Sequence, residues 1–303
     1  MKRRIIRKNK SQKKILIVGS ISLLLFLCVG YAAFQTNLSL TAKGNIKQRK
    51  AGEMLRELCN TKVGDGLYED TYEEGKCTYK GSKPNNYIIF NNEIWRIISI
   101  SSDNTLKIMK NEKIINKEWD SSNFNDWNMP STLNTYLNSE YLSSIITNQN
   151  KIVAHTWSVG AVTTNNTNLA EQISNENSIQ SQQNDIGLIT LSEYLRANDN
   201  MEQCETFKSN NINSKTCLKT NWMYNITNSY SYLWTISIPT TNYGTDVAFA
   251  ITGLATPNYI TQIIVNKTSA YEGDMIVVPV LYLSSDTILS GSGTEQDPYT
   301  ITN

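Results

Sequence analysis

A chain of 303 residues has room for one or two domains with a sizeable core, and its 28 basic and 27 acidic residues look balanced. The balance hides a split: eight cations and no anion fall in Met1–Lys14, and the remaining 20 basic and 27 acidic residues carry a net charge of −7. A body of that sign argues against nucleic acid as a partner, because phosphate binding needs clustered Lys and Arg to displace counterions.

Directly after the basic run, Ile15–Phe34 (ILIVGSISLLLFLCVGYAAF) contains no charge. At a rise of about 1.5 Å per residue, some 20 apolar residues span a hydrocarbon core of roughly 30 Å. The cationic flank predicts a cytoplasmic N-terminus and a C-terminal body outside the membrane. A cleaved leader is the competing expectation, since Gly30 and Ala32 are small residues at the spacing a signal peptidase reads. The uninterrupted apolar length favours an anchor. The chain therefore divides into a cytoplasmic basic segment (1–14), a transmembrane anchor or signal segment (15–34), a stalk (35–47) and an extracellular domain (48–303).

In the body, Ala51, Met54, Leu55 and Leu58 at helical spacing predict a short helix over Gln48–Cys59. Tyr87–Phe90, Ile94–Ile100 and Leu106–Met109 are β-branched and aromatic runs divided by Asn-Asn and Ser-Ser-Asp-Asn, which predict a three-stranded antiparallel meander with Trp95 in its core. Leu133, Tyr136, Leu137, Tyr141, Leu142 and Ile145 recur at intervals of three and four, an amphipathic helix with Asn128 or Ser131 as cap and Pro130 in its first turn. A strand is expected around Lys151–Val159. The polar stretch TTNNTNLAEQISNENSIQSQQND that follows reads as an exposed loop. Ile186–Asn198 reads as a strand turning into a helix capped at Ser192. Four further strand-like runs follow, with Pro279 expected at an edge or bulge. Few helices among many short strands give an α+β class.

Four cysteines lie in the body, and they allow three pairings. Proximity favours Cys59 with Cys77 and Cys204 with Cys217, each bridge stabilising by about 3 kcal/mol; four free thiols are the alternative. Neither pair has zinc-knuckle spacing, and no metal or other cofactor is expected.

One resemblance rests on the order of fragments: PNNYIIFNNEIWRIISI, STLNTYLNSEY, IGLITLSEY, two cysteines before KTNWMYN, YLWTISIP, VVPVLYL and SGSGTEQDPYTI. The series resembles an uncharacterised group of bacterial extracellular domains with a Phe-Asn-x-x-x-Trp-Arg strand and a Gly-x-Gly-Thr-x-x-x-Pro-Tyr close. Such domains are similar to the C-type-lectin-like fold shared with formylglycine-generating enzymes, which implies a mixed or antiparallel sheet with long loops and a surface location. Where related domains tend to carry Gly-Val-Arg-Pro-Val, this chain has Val277-Val278-Pro279-Val280 without the arginine.

Catalytic signatures are sparse. His155 is the sole histidine, its neighbours read as a strand, and it is expected to pack rather than to act as a base. No nucleophile-elbow, zincin or P-loop motif occurs. The aromatic segment Trp222, Tyr224, Tyr230, Tyr232 and Trp234 is the candidate ligand surface, since such rings join apolar area to a polar handle. The expectation is a membrane-anchored binding or adhesion module for a glycan or a cell-surface or host protein. An extracellular glycan-active hydrolase is the alternative. The closing loop GSGTEQDPYTITN reads as a turn that returns Tyr299 and Ile301 to a sheet, not as a calcium loop.

Overall fold

The computed structural model describes residues 48–128, 131–163, 168–200, 204, 217, 219–227, 231–240, 247–252, 260–264, 269–270 and 273–302. The expected anchor, the stalk and Tyr230 lie outside these residues. Among the described residues no helix is long and apolar enough to cross a membrane. Residues from Gln48 onward form one unit of the α+β class, and its described residues make few helices and two mixed sheets.

The meander forms as its sequence predicts. Strands β3 (Tyr87–Phe90), β4 (Glu93–Ile100) and β5 (Leu106–Lys110) pair antiparallel. Asn91 and Asn92 take φ of 52° and 61° between the first two, the left-handed conformation that a two-residue hairpin needs to match strand twist. Trp95 is fully buried and meets Phe90 edge-on at 5.3 Å. A hairpin of β1 (Gly66–Glu69) and β2 (Cys77–Lys80) attaches through β2 to β4.

The rest of the main sheet comes from the far end of the chain. β13 (Val280–Leu283) pairs with β5 on one side and with β7 (Ile186–Gly187) on the other. At the opposite edge, β15 (Tyr299–Thr302) lies parallel to β3 and antiparallel to β14 (Ile288–Ser290). The closing glycine loop thus returns the chain to the sheet, and Gly293 (φ 74°) sits where a Cβ would come within 2.3 Å of the Tyr299 ring.

A second sheet runs in the order β10 (Ile260–Ile264), β9 (Val247–Thr252), β8 (Ser231–Trp234), β12 (Gly273–Val277), β11 (Ser269–Ala270), with β6 (Ile115–Asn116) also on β12. Pro279 lies between β12 and β13, which belong to different sheets. The expected edge position is corrected to a crossing point: proline has no N–H to donate, and the ladder changes partner there.

Helix α1 (Ala51–Arg56) buries Ala51 and Leu55. The predicted amphipathic helix is α2 (Thr132–Tyr136), a π-helical turn (Leu137–Tyr141) and α3 (Leu142–Ser144), with Leu133, Leu137 and Ile145 buried. Ser131 is its cap, accepting from the Asn134 N–H at 3.1 Å. Lys151–Val159 is not a regular strand; it makes isolated bridges through Ile152, His155 and Ser158.

The polar stretch read as a loop contains α4 (Leu169–Asn177), capped by Asn168. Leu169, Gln172, Ile173 and Glu176 share one buried face at helical spacing, and two of the four are polar, which hid the stripe. In α5 (Leu191–Arg196) the cap is Thr190 rather than Ser192. Thr190 and Glu193 form a reciprocal capping box, its bonds 2.9 and 3.2 Å long. Both favoured disulfides, Cys59–Cys77 and Cys204–Cys217, are formed.

Candidate functional site

The predicted aromatic segment divides between core and half-buried positions. Trp222 opens α6 (Trp222–Thr227) and is fully buried; its Nε1 donates to the Tyr79 carbonyl at 3.0 Å. Its ring covers the buried guanidinium of Arg96 at 4.8 Å, and Tyr87 covers that group at 3.7 Å. Burial pushes Arg96 down to about 10, against the pull of Tyr87 and Glu295, and its Nε donates to Asn86 Oδ1 at 2.6 Å. Trp234 is likewise buried, with Nε1 donating to the Lys117 carbonyl at 2.9 Å. Tyr224 and Tyr232 are half-buried. Trp222 therefore packs on an internal cation, and neither tryptophan presents a face to solvent.

Polar chemistry converges elsewhere, in a cleft of about 380 Å³. Lys107 on β5, Thr190, Ser192, Glu193 and Arg196 around α5, and Tyr282 on β13 form its buried inner surface. Glu73, Lys76, Asp103, His155, Asn177 and Gln180 are among the more exposed residues at its rim.

Sheet register builds the first part. Lys107 and Tyr282 are cross-strand partners, so their side chains share a face. The Lys107 ammonium lies 5.2 Å from the Tyr282 ring centre and 4.9 Å from that of Trp157. Tyr282 also stacks on His155, ring centres 3.9 Å apart and planes within 12°. His155 Nδ1 donates to the Thr156 carbonyl at 2.6 Å.

Helix α5 builds the second part. Residues 190, 193 and 196 lie along one face at helical spacing. Glu193 returns one oxygen to the Thr190 N–H and takes the Lys107 ammonium on the other at 2.6 Å. Arg196 reaches the hairpin, its Nη1 donating to Asp70 Oδ2 at 2.9 Å and to Glu73 Oε2 at 2.5 Å. Lys76 Nζ also holds Glu73 Oε2, at 2.7 Å.

These partners set the charges. Burial opposes ionisation of Asp70, Glu73 and Glu193, yet the neighbouring cations win at all three. Glu73 is held down to about 2, chiefly by Lys76 and Arg196. Arg196 is pushed above its ordinary value because Asp70 and Glu73 outweigh burial.

Glu176 of α4 differs. It accepts from the Ser192 hydroxyl, from Ser237 Oγ at 2.7 Å and from the Ser192 N–H at 3.2 Å. Complete burial outweighs these donors and raises its carboxyl above the ordinary range.

Among the cleft residues, only His155 stands out in the sequence as a chemical group. Thr190-Leu-Ser-Glu193 carries the capping-box signature, and that signal locates α5. Nothing local joins Asp70, Lys107 and Arg196. No protein-family model, curated protein or solved structure matches this chain.

Proposed function

We propose that this protein is a membrane-anchored cell-surface binding module whose cleft takes a glycan. One observation carries the reading: a polar cleft of about 380 Å³ has the flat, stacked pair His155 and Tyr282 in its wall. A sugar ring needs an apolar platform together with hydrogen-bonding partners, and His155, Asn177, Gln180 and Lys76 supply both kinds of contact around this opening. The basic leader with its twenty uncharged residues supports surface display, as do the two disulfides, which form in oxidising compartments. Mixed sheets joined by long irregular connections are in keeping with a C-type-lectin-like fold.

Binding is favoured over glycan hydrolysis because the two buried glutamates are fully engaged. Both oxygens of Glu176 accept serine donors, and both oxygens of Glu193 are taken by Thr190 and Lys107. Neither has an unpartnered oxygen to offer a substrate in this structure.

The full chain in detergent, screened on an array of bacterial and host glycans, tests the proposal. Retention on a glycan class is expected, weakened about tenfold or more by His155→Ala, the scale of losing a main ring contact, with the melting temperature unchanged. Absence of retention, or retention indifferent to His155→Ala, overturns it. Capture of proteins alone would move the function to a protein partner.

A further inference from the structure

The guanidinium of Arg196 is only partly used. Arginine presents five N–H donors in a planar fork, yet both ion pairs of Arg196 leave from Nη1. Its Nε is buried with no hydrogen-bond partner, and the side chain is 4% exposed. A buried charged donor without an acceptor is costly, so native structures seldom leave one, and a water or a ligand is among the groups that complete it. Arg196 lines the cleft.

The charges around it decide what the missing acceptor is. Asp70, Glu73 and Glu193 act on Arg196, and Arg196 acts in turn on Glu176; three cations, Lys76, Lys107 and Arg196 itself, stand against these four carboxyl groups. A ligand carboxylate would find no counter-charge left beside Arg196. A sugar hydroxyl adds no charge, but it brings a donor of its own into a site whose nearby carboxylate oxygens largely have donors already. An amide carbonyl oxygen accepts without adding a charge, and the N–H of a trans amide points the opposite way, so only an acceptor faces Arg196.

We infer that the cleft reads an acylamido sugar, its ring against the His155–Tyr282 stack and its amide carbonyl oxygen accepting from the unpartnered Nε of Arg196. This rests on the glycan reading and narrows it to N-acylated sugars.

Titration of the full chain in detergent with chitotriose, its N-deacetylated counterpart and cellotriose tests the inference. Chitotriose is expected to bind at least about tenfold more tightly than either, as for a site built around one polar group of its ligand. In Arg196→Lys, which keeps a cation for Asp70 and Glu73 but lacks the Nε edge, the preference for chitotriose over cellotriose should fall to near one.

Equal binding of chitotriose and cellotriose overturns the acylamido assignment and leaves the glycan reading standing. Failure of all three, with no other glycan retained on the array, removes both. Tighter binding of the deacetylated trimer, or a crystal of the chitotriose complex with only a water on Arg196 Nε, also overturns the assignment. If Arg196→Lys fails to fold, the comparison of acetylated with deacetylated ligand on the unaltered chain still decides it.

Discussion

Lys107 and Glu193, 86 residues apart in sequence, meet at 2.6 Å with side chains 4% and 6% exposed. The pair ties the middle of the main sheet to the helix that floors the cleft. Removing one partner strands a buried charge, so Glu193→Gln is expected to destabilise the protein by about 3–5 kcal/mol. Adding Lys107→Met should recover much of that loss, because the stranded charge goes with it while glutamine keeps the capping box. Urea denaturation of the two single variants and the double variant measures the coupling; additive losses would show that the pair is not an energetic unit.

Acid should weaken the fold through the cleft. The folded pKa of Glu73, about 2, lies below its ordinary 4.5. Its stabilisation is therefore complete above about 4.5 and is lost as pH falls towards 2. Asp70 and Glu193 shift in the same direction. Glu176, shifted upward, works the opposite way: its contribution is present below the ordinary carboxylate range and is lost as pH rises through its folded value. The urea midpoint should drop between about pH 4.5 and 2, and Glu73→Gln should make that drop shallower. An unchanged slope in the variant would count against the Arg196 and Lys76 pairing.

The closing strand depends on one glycine. At Gly293, a Cβ meets both the Tyr299 ring at 2.3 Å and the Asn85 carbonyl oxygen at 2.6 Å. Gly64 has a similar φ, 78°, with nothing within 4 Å. Gly64→Ala should cost only the backbone penalty of about 1 kcal/mol, whereas Gly293→Ala should cost about 3 kcal/mol or more because the loop must move as well. Thermal melts of the two variants separate the conformational cost from the steric one.

The disulfide Cys59–Cys77 joins the turn after α1 to the start of β2, and Arg56 bridges the same region through Ser101 O and Gly75 O. Replacing both cysteines by serine should lower stability by about 3 kcal/mol, the loop-closure value, while the Arg56 contacts hold the hairpin in place. Free-thiol titration of the unfolded, unreduced chain should detect neither Cys59 nor Cys77.

Local chemistry determines much of this protein without reference to any tertiary contact. Asn91-Asn92 with flanking β-branched runs gave the meander its turn and register, since side-chain alternation and turn conformation act within a few residues. Gly291 and Gly293 marked the closing turn, and cysteine proximity indicated both bridges. The α+β class follows from the same short-range signals. Elements with polar faces were harder to read: α4 buries Gln172 and Glu176 along with Leu169 and Ile173, so its stripe carries little hydrophobic contrast.

The cleft was decided only by the tertiary structure. Its charges come from the hairpin (Asp70, Glu73, Lys76), the third strand of the meander (Lys107) and α5 (Glu193, Arg196), and each looks like an ordinary surface residue in its own segment. They meet because β13 arrives from the far end of the chain to pair with β5 and places Tyr282 opposite Lys107. The tryptophans ran the other way: Trp222 and Trp234 look like ligand rings in sequence, but burial and backbone acceptors for their indole N–H groups put them in the core. Sequence periodicity records which face of an element is apolar. Which polar side chains share a water-poor space depends on long-range pairing, which no local pattern encodes.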